Sequence, residues 1–101
     1  METKNYAFSS EKFLTKGVSL EIPIQLQILM WSLIMDLPCD RDYLQVFELS
    51  EFEGKQKVIH KQEVPEYKKE YIMLADEKPI NTKIFVIDDV EVCTMLLASE
   101  Y

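Results

Sequence analysis

Between Pro23 and Leu37 the chain reads P-I-Q-L-Q-I-L-M-W-S-L-I-M-D-L, and ten of these fifteen residues are large and apolar. The run predicts a helix. Pro23 suits a first turn, where its missing N–H leaves nothing unpaired. Glu21 complements the positive end of the helix dipole, and Pro38 disfavours helical geometry at Leu37 before it. A helix resting on a sheet needs only one apolar stripe, with polar residues toward water. At 100° per residue Gln25, Ser32 and Asp36 fall on one narrow line with Leu29 among them, and Gln27 points nearly opposite. The remaining arc is apolar, so this helix calls for more than one neighbour.

The 101 residues make one domain with a single core. An apolar content of 48% with eleven aromatics argues for a folded chain. Extended segments are expected at Phe13–Val18, Tyr43–Ser50, Lys57–Val64, Tyr67–Leu74, Lys83–Ile87 and Val92–Leu97, with an optional one at Asn5–Phe8. Gly17 marks a bulge or a close approach. Gly54, in a polar link between two extended runs, signals a hairpin, and residues 88–91 form a tight turn. The expected fold is α+β: one long, mostly apolar helix packed on a mainly antiparallel sheet of about five strands. The last two strands are apolar on both faces, which marks a sheet covered on both sides. Helix and sheet alike point to a second contact surface.

The net charge of −7 argues against a nucleic-acid partner, because phosphate backbones are bound chiefly through Lys and Arg. Residues 55–69 carry five lysines against two glutamates, a local +3, which leaves −10 for the rest of the chain. Cys39 and Cys93 lack both C-x-x-C spacing and a dense secreted pattern, so reduced thiols and a cytoplasmic setting are expected. Residues 1–12 hold no apolar signal core. As a helix, 23–37 spans about 22 Å, short of a hydrocarbon layer of roughly 30 Å, so no membrane is expected.

Candidate chemistry is sparse. His60 is the only histidine and has no Ser or Cys nucleophile beside it in sequence, so a partly exposed strand residue is the simpler reading. The acidic groups Asp36, Asp40, Asp42 and Asp88, Asp89, Glu91 lack a cation-loop signature and read as turns. Two separated cysteines and one histidine do not make a zinc site, and two isolated glycines do not make a phosphate loop. Lys55, Lys57, His60, Lys61, Tyr67, Lys68, Lys69 and Tyr71 interleave cations with aromatics, a pattern able to stack bases. A solvated lysine face that guards a sheet edge explains it more simply. No catalytic residue, metal or cofactor is assigned. The candidate interface consists of Met30, Trp31, Ile34 and Met35 on the helix with Tyr67 and Tyr71 on the sheet.

Five blocks carry a family resemblance: F-L-T-K-G-V-S-L-E-I-P at 13–23, D-Y-L-Q-V-F-E-L-S at 42–50, G-K-Q-K-V-I-H-K-Q-E-V-P-E-Y-K-K-E-Y at 54–71, K-I-F-V-I-D-D at 83–89 and T-M-L-L-A-S-E-Y at 94–101. They resemble a family of small uncharacterised proteins, a domain of unknown function, from Firmicutes and their mobile elements. The resemblance implies a variable lead-in over 1–12, a domain over 13–101 and an intracellular bacterial or phage protein. It supplies no catalytic residues. Val90 stands where that family leads one to expect a glycine after Asp88-Asp89. The functional expectation is a non-enzymatic interaction domain that self-associates, as a dimer, or meets another protein. The alternative is an acidic inhibitor that imitates nucleic acid and fills a basic cleft.

Overall fold

Burial alternates residue by residue along 44–49, 56–62 and 83–88, and these strands build the centre of a six-stranded sheet. The structure, a computed structural model, describes residues 5–75 and 77–101. In chain order the elements are β1 (Glu11–Leu14), α1 (Lys16–Glu21), α2 (Ile24–Met35), β2 (Leu44–Phe52), β3 (Lys55–Gln62), β4 (Tyr67–Met73), β5 (Thr82–Asp88), β6 (Val92–Leu97) and a 3-10 turn at Ala98–Glu100. The strands lie in the order β1-β6-β5-β2-β3-β4. β1 runs parallel to β6, and every other neighbouring pair is antiparallel. β1 and β2 therefore point the same way, and the two helices form the crossover between them.

Both helices cover one face. There Phe47, Leu49, Val58, Ile84, Val86, Cys93, Met95 and Leu97 meet Val18, Ile22, Leu26, Met30 and Ile34 in one buried cluster. Leu26, Met30 and Ile34 recur every four residues, which puts them on one side of α2. Burying each such side chain contributes about 1.5–3 kcal/mol. Among the described residues no layer lies over the opposite face. Leu44, Val46, Phe85 and Ile87 are half-buried there, and the Tyr101 ring lies edge-on to Phe85 at 5.5 Å. Charged pairs share that face: Lys61 and Lys83 reach Glu48 at 2.8 and 3.7 Å, and Lys57 reaches Glu70 at 3.2 Å.

This architecture corrects the expected fold. The sheet has six strands, is mixed, and dominates the chain. No long helix lies on a five-stranded sheet, because α2 covers only 12 residues, between a non-helical Pro23 and Asp36 at φ −92°, ψ 5°. The segment 13–18, expected as one strand, divides at Thr15. Its side chain accepts from the Val18 N–H as an N-cap, and Val18 and Ile22 form a buried pair four residues apart. Gly17 is a close-approach point, but in a helix: a Cβ there would stand 2.7 Å from both Glu100 Oε2 and Leu97 Cδ1. The optional strand at Asn5–Phe8 is irregular instead, with Phe8 in the core at φ 51°.

Two turns show how local chemistry sets the connections. Glu53 and Gly54 both take positive φ between the paired Phe52 and Lys55, the two-residue hairpin that Gly54 signals. In the β5–β6 turn Asp89 N–H donates to Val92 O, and Val90 sits at φ 80°. A β-branched residue is strained there by about 1–3 kcal/mol. Val90 is exposed, so its side chain contributes little packing in return. Val90→Gly should therefore raise stability by about 1 kcal/mol, read as a higher Tm. An unchanged or lower Tm would refute the strain.

Candidate functional site

Helix α2 carries two apolar stripes. Leu26, Met30 and Ile34 form the inner one. On the outer side Ile24, Ile28, Trp31 and Met35 recur at i, i+4, i+7 and i+11, within an arc of about 60° at 100° per residue. Ile24 and Ile28 are each 58% exposed and Met35 47%. These values exceed what isolated surface residues require, because the three stand on one line. Leu20 of α1 is 73% exposed nearby in sequence. No charged residue interrupts 22–35. The polar line of Gln25, Ser32 and Asp36 does face solvent beside the stripe, while Gln27 turns inward and donates to Ile22 O at 2.8 Å. Trp31 is half-buried at the stripe's other margin, where Lys12 Nζ lies 5.6 Å from its ring centroid.

The residues singled out in the sequence are divided by the structure. Met30 and Ile34 are fully buried within the chain, while Trp31 and Met35 belong to the outer stripe. Tyr67 and Tyr71 lie half-buried on the helix-covered face of β4, away from that stripe. Burial, with a bond to Tyr71 second, pushes the Tyr67 hydroxyl up to about 12. Ile24 and Ile28 complete the stripe, and the sequence reading leaves them aside. Their signal is the 4-3-4 spacing through 24, 28, 31 and 35, which a count of apolar residues around the whole helix conceals.

Several of the other chemical candidates hold the fold together. His60 has no exposed surface and is stacked on Phe47 at 4.4 Å, so the expected partly exposed strand residue is a core histidine. Gln62 Nε2 donates to Asp40 O and Pro65 O, which leaves Gln62 Oε1 to accept from Gln45 Nε2 at 2.6 Å. Gln45 Oε1 is then the group facing His60 Nε2 at 2.7 Å, so that nitrogen carries the proton. His60 Nδ1 has no partner among the described residues. Asp42 accepts from Tyr43 N and Val64 N, and Asp88 and Asp89 likewise cap turn amides. Among the described residues no three His, Cys, Asp or Glu converge. Lys57 and Lys61 are engaged with Glu70 and Glu48. Among the described residues, no helix is long and apolar enough to cross a membrane.

Burial lowers the His60 pKa to about 4 from an ordinary 6.5. The unfolded chain then binds more protons between those values, so this group lowers stability as pH falls from 6.5 toward 4. The full effect is on the order of 3 kcal/mol at 1.36 kcal/mol per unit. Denaturant titrations should show His60→Phe losing less stability than the native chain across that window. Parallel curves for the two proteins would refute it.

Residues 11–100 match the family described as staphylococcal protein of unknown function (DUF960), and this chain belongs to that family. The crystal structure of a protein of unknown function from Enterococcus faecalis is similar in fold, with TM-score 0.80 and 24% sequence identity. That likeness covers 99% of this chain and 98% of the other. A search of curated proteins gives no match. The domain is thus one that recurs among Firmicutes.

Proposed function

We propose that this member of the family works by contact rather than by catalysis, and that it self-associates through the outer stripe of α2. The observation that carries the reading is the outer run Ile24, Ile28, Trp31 and Met35, exposed at three positions and half-buried at Trp31, on a helix free of charge. Such spacing is the one by which helices seat against helices. The stripe is also its own complement. In an antiparallel pair a single register brings Ile24 against Met35 and Ile28 against Trp31, and no like charges meet within 22–35. An isologous dimer is the simplest assembly built on such a patch. The two sheet edges suit this role less, because β1 has only four residues and β4 carries Lys68 and Lys69.

Light scattering across micromolar concentrations should show a dimer that Ile28→Glu converts to monomer. Ile28 is exposed, so the fold should tolerate that change. Two chains of −7 repel each other, so added salt should tighten the pair. A strictly monomeric chain, or an Ile28→Glu variant that associates as the native chain does, would overturn the proposal. Capture of a basic protein at low salt that is lost at high salt would favour the nucleic-acid mimic instead.

A further inference from the structure

Residues 5–10 cross the end of the sheet as an irregular segment, tied at each step to other parts of the chain. Tyr6 N–H donates to Arg41 O at 2.9 Å, and Arg41 Nε returns a bond to Tyr6 O at 3.0 Å. Ser10 Oγ donates to Val90 O at 2.9 Å. Between them Phe8 inserts its ring into the core with no exposed surface. The central tie is one carboxylate: Asp88 Oδ2 accepts from Phe8 N–H at 3.0 Å, and Asp88 Oδ1 accepts from Val90 N–H at 2.8 Å. Phe8 and Val90 are also two of the three non-glycine residues with positive φ among those described, at 51° and 80°. A buried carboxylate thus holds two disfavoured backbone conformations at once, one on each side of the joint.

We propose that residues 5–10 form a releasable strap, clasped by Asp88, whose closure restrains the α2 stripe at Trp31. The link is Lys12. Its Nζ donates to Phe8 O at 3.1 Å while lying over the Trp31 ring. A closed strap therefore fixes a hydrated ammonium on the margin of the apolar stripe, where it opposes burial of Trp31 against a partner. When Phe8 withdraws, Lys12 loses its backbone acceptor and the Trp31 face is freed. This rests on reading the stripe as the contact surface. The strap is then an autoinhibitory element: open chains associate more tightly than closed ones.

Native-state amide hydrogen exchange and Trp31 emission test the strap without reference to association, and Trp31 is the only tryptophan. In the native chain the Phe8 and Val90 amides should exchange together through one opening, faster than the Val46 amide in the sheet centre. Asp88→Asn keeps one acceptor oxygen and turns an amide toward the other N–H. It should speed exchange at Phe8 and Val90 by about tenfold or more, with Val46 still protected, and shift Trp31 emission. Lys12→Met should reproduce the emission shift with Phe8 still protected, and should raise the dimer fraction in light scattering. Exchange of Phe8 at the Val46 rate in the native chain would overturn the proposal, and that measurement decides even if Asp88→Asn fails to fold. So would Asp88→Asn releasing Phe8 with emission unchanged. A chain that stays monomeric in every variant defeats the reading of the stripe, while exchange and emission still decide whether the strap exists.

Discussion

The structure depends on a helical layer laid on one face of the sheet only. The crossover from β1 to β2 passes through α1 and α2, and their buried residues Val18, Leu26, Met30 and Ile34 all join the cluster around Phe47 and Val86. That packing is the main apolar burial among the described residues, and α2 enters it chiefly through one fully buried stripe. Among the described residues no second layer lies on top of the helix, so Ile24, Ile28 and Met35 meet water while Leu29, Trp31 and Leu33 are half-buried against the cluster. Ile24, Ile28 and Met35 are exposed for this topological reason.

The polar residues under the helix point the same way. His60, Gln45 and Gln62 are buried, yet they form a chain of hydrogen bonds that ends on backbone carbonyls at Asp40, Asp42 and Pro65. Such a network fixes strand ends and loops in a low-dielectric interior. The histidine at its head has no exposed surface. On the outer side of α2, Ile24, Ile28 and Met35 form an exposed line.

Much of this was legible in the residues. The strands from Tyr43 onward, the Gly54 hairpin, the helix after Pro23 and its polar line at Gln25, Ser32 and Asp36 follow from period, turn chemistry and caps. The departures have physical causes. Val18 and Leu20 alternate like strand residues, but Thr15 caps a helix in which Val18 pairs with Ile22 and Leu20 faces water. β1 pairs with β6 at the far end of the chain, and parallel pairing over such a separation leaves no local signature. Phe8 enters the core through a carboxylate eighty residues away, which no window of sequence contains. On α2 the apolar count was visible, but which stripe stays outside depends on how the helix sits on the sheet. Met30 and Ile34 face in, and Ile24 and Ile28 face out.

Self-association through the outer stripe of α2, as proposed above, has a direct readout. Amide chemical shifts recorded over a dilution series locate an interface residue by residue in the native chain. Concentration-dependent shifts should gather at Ile24, Ile28, Trp31 and Met35, with the open sheet face at Val46 and Phe85 unchanged. Shifts confined to that sheet face or to the edges at β1 and β4, or no shifts at any concentration, would contradict it.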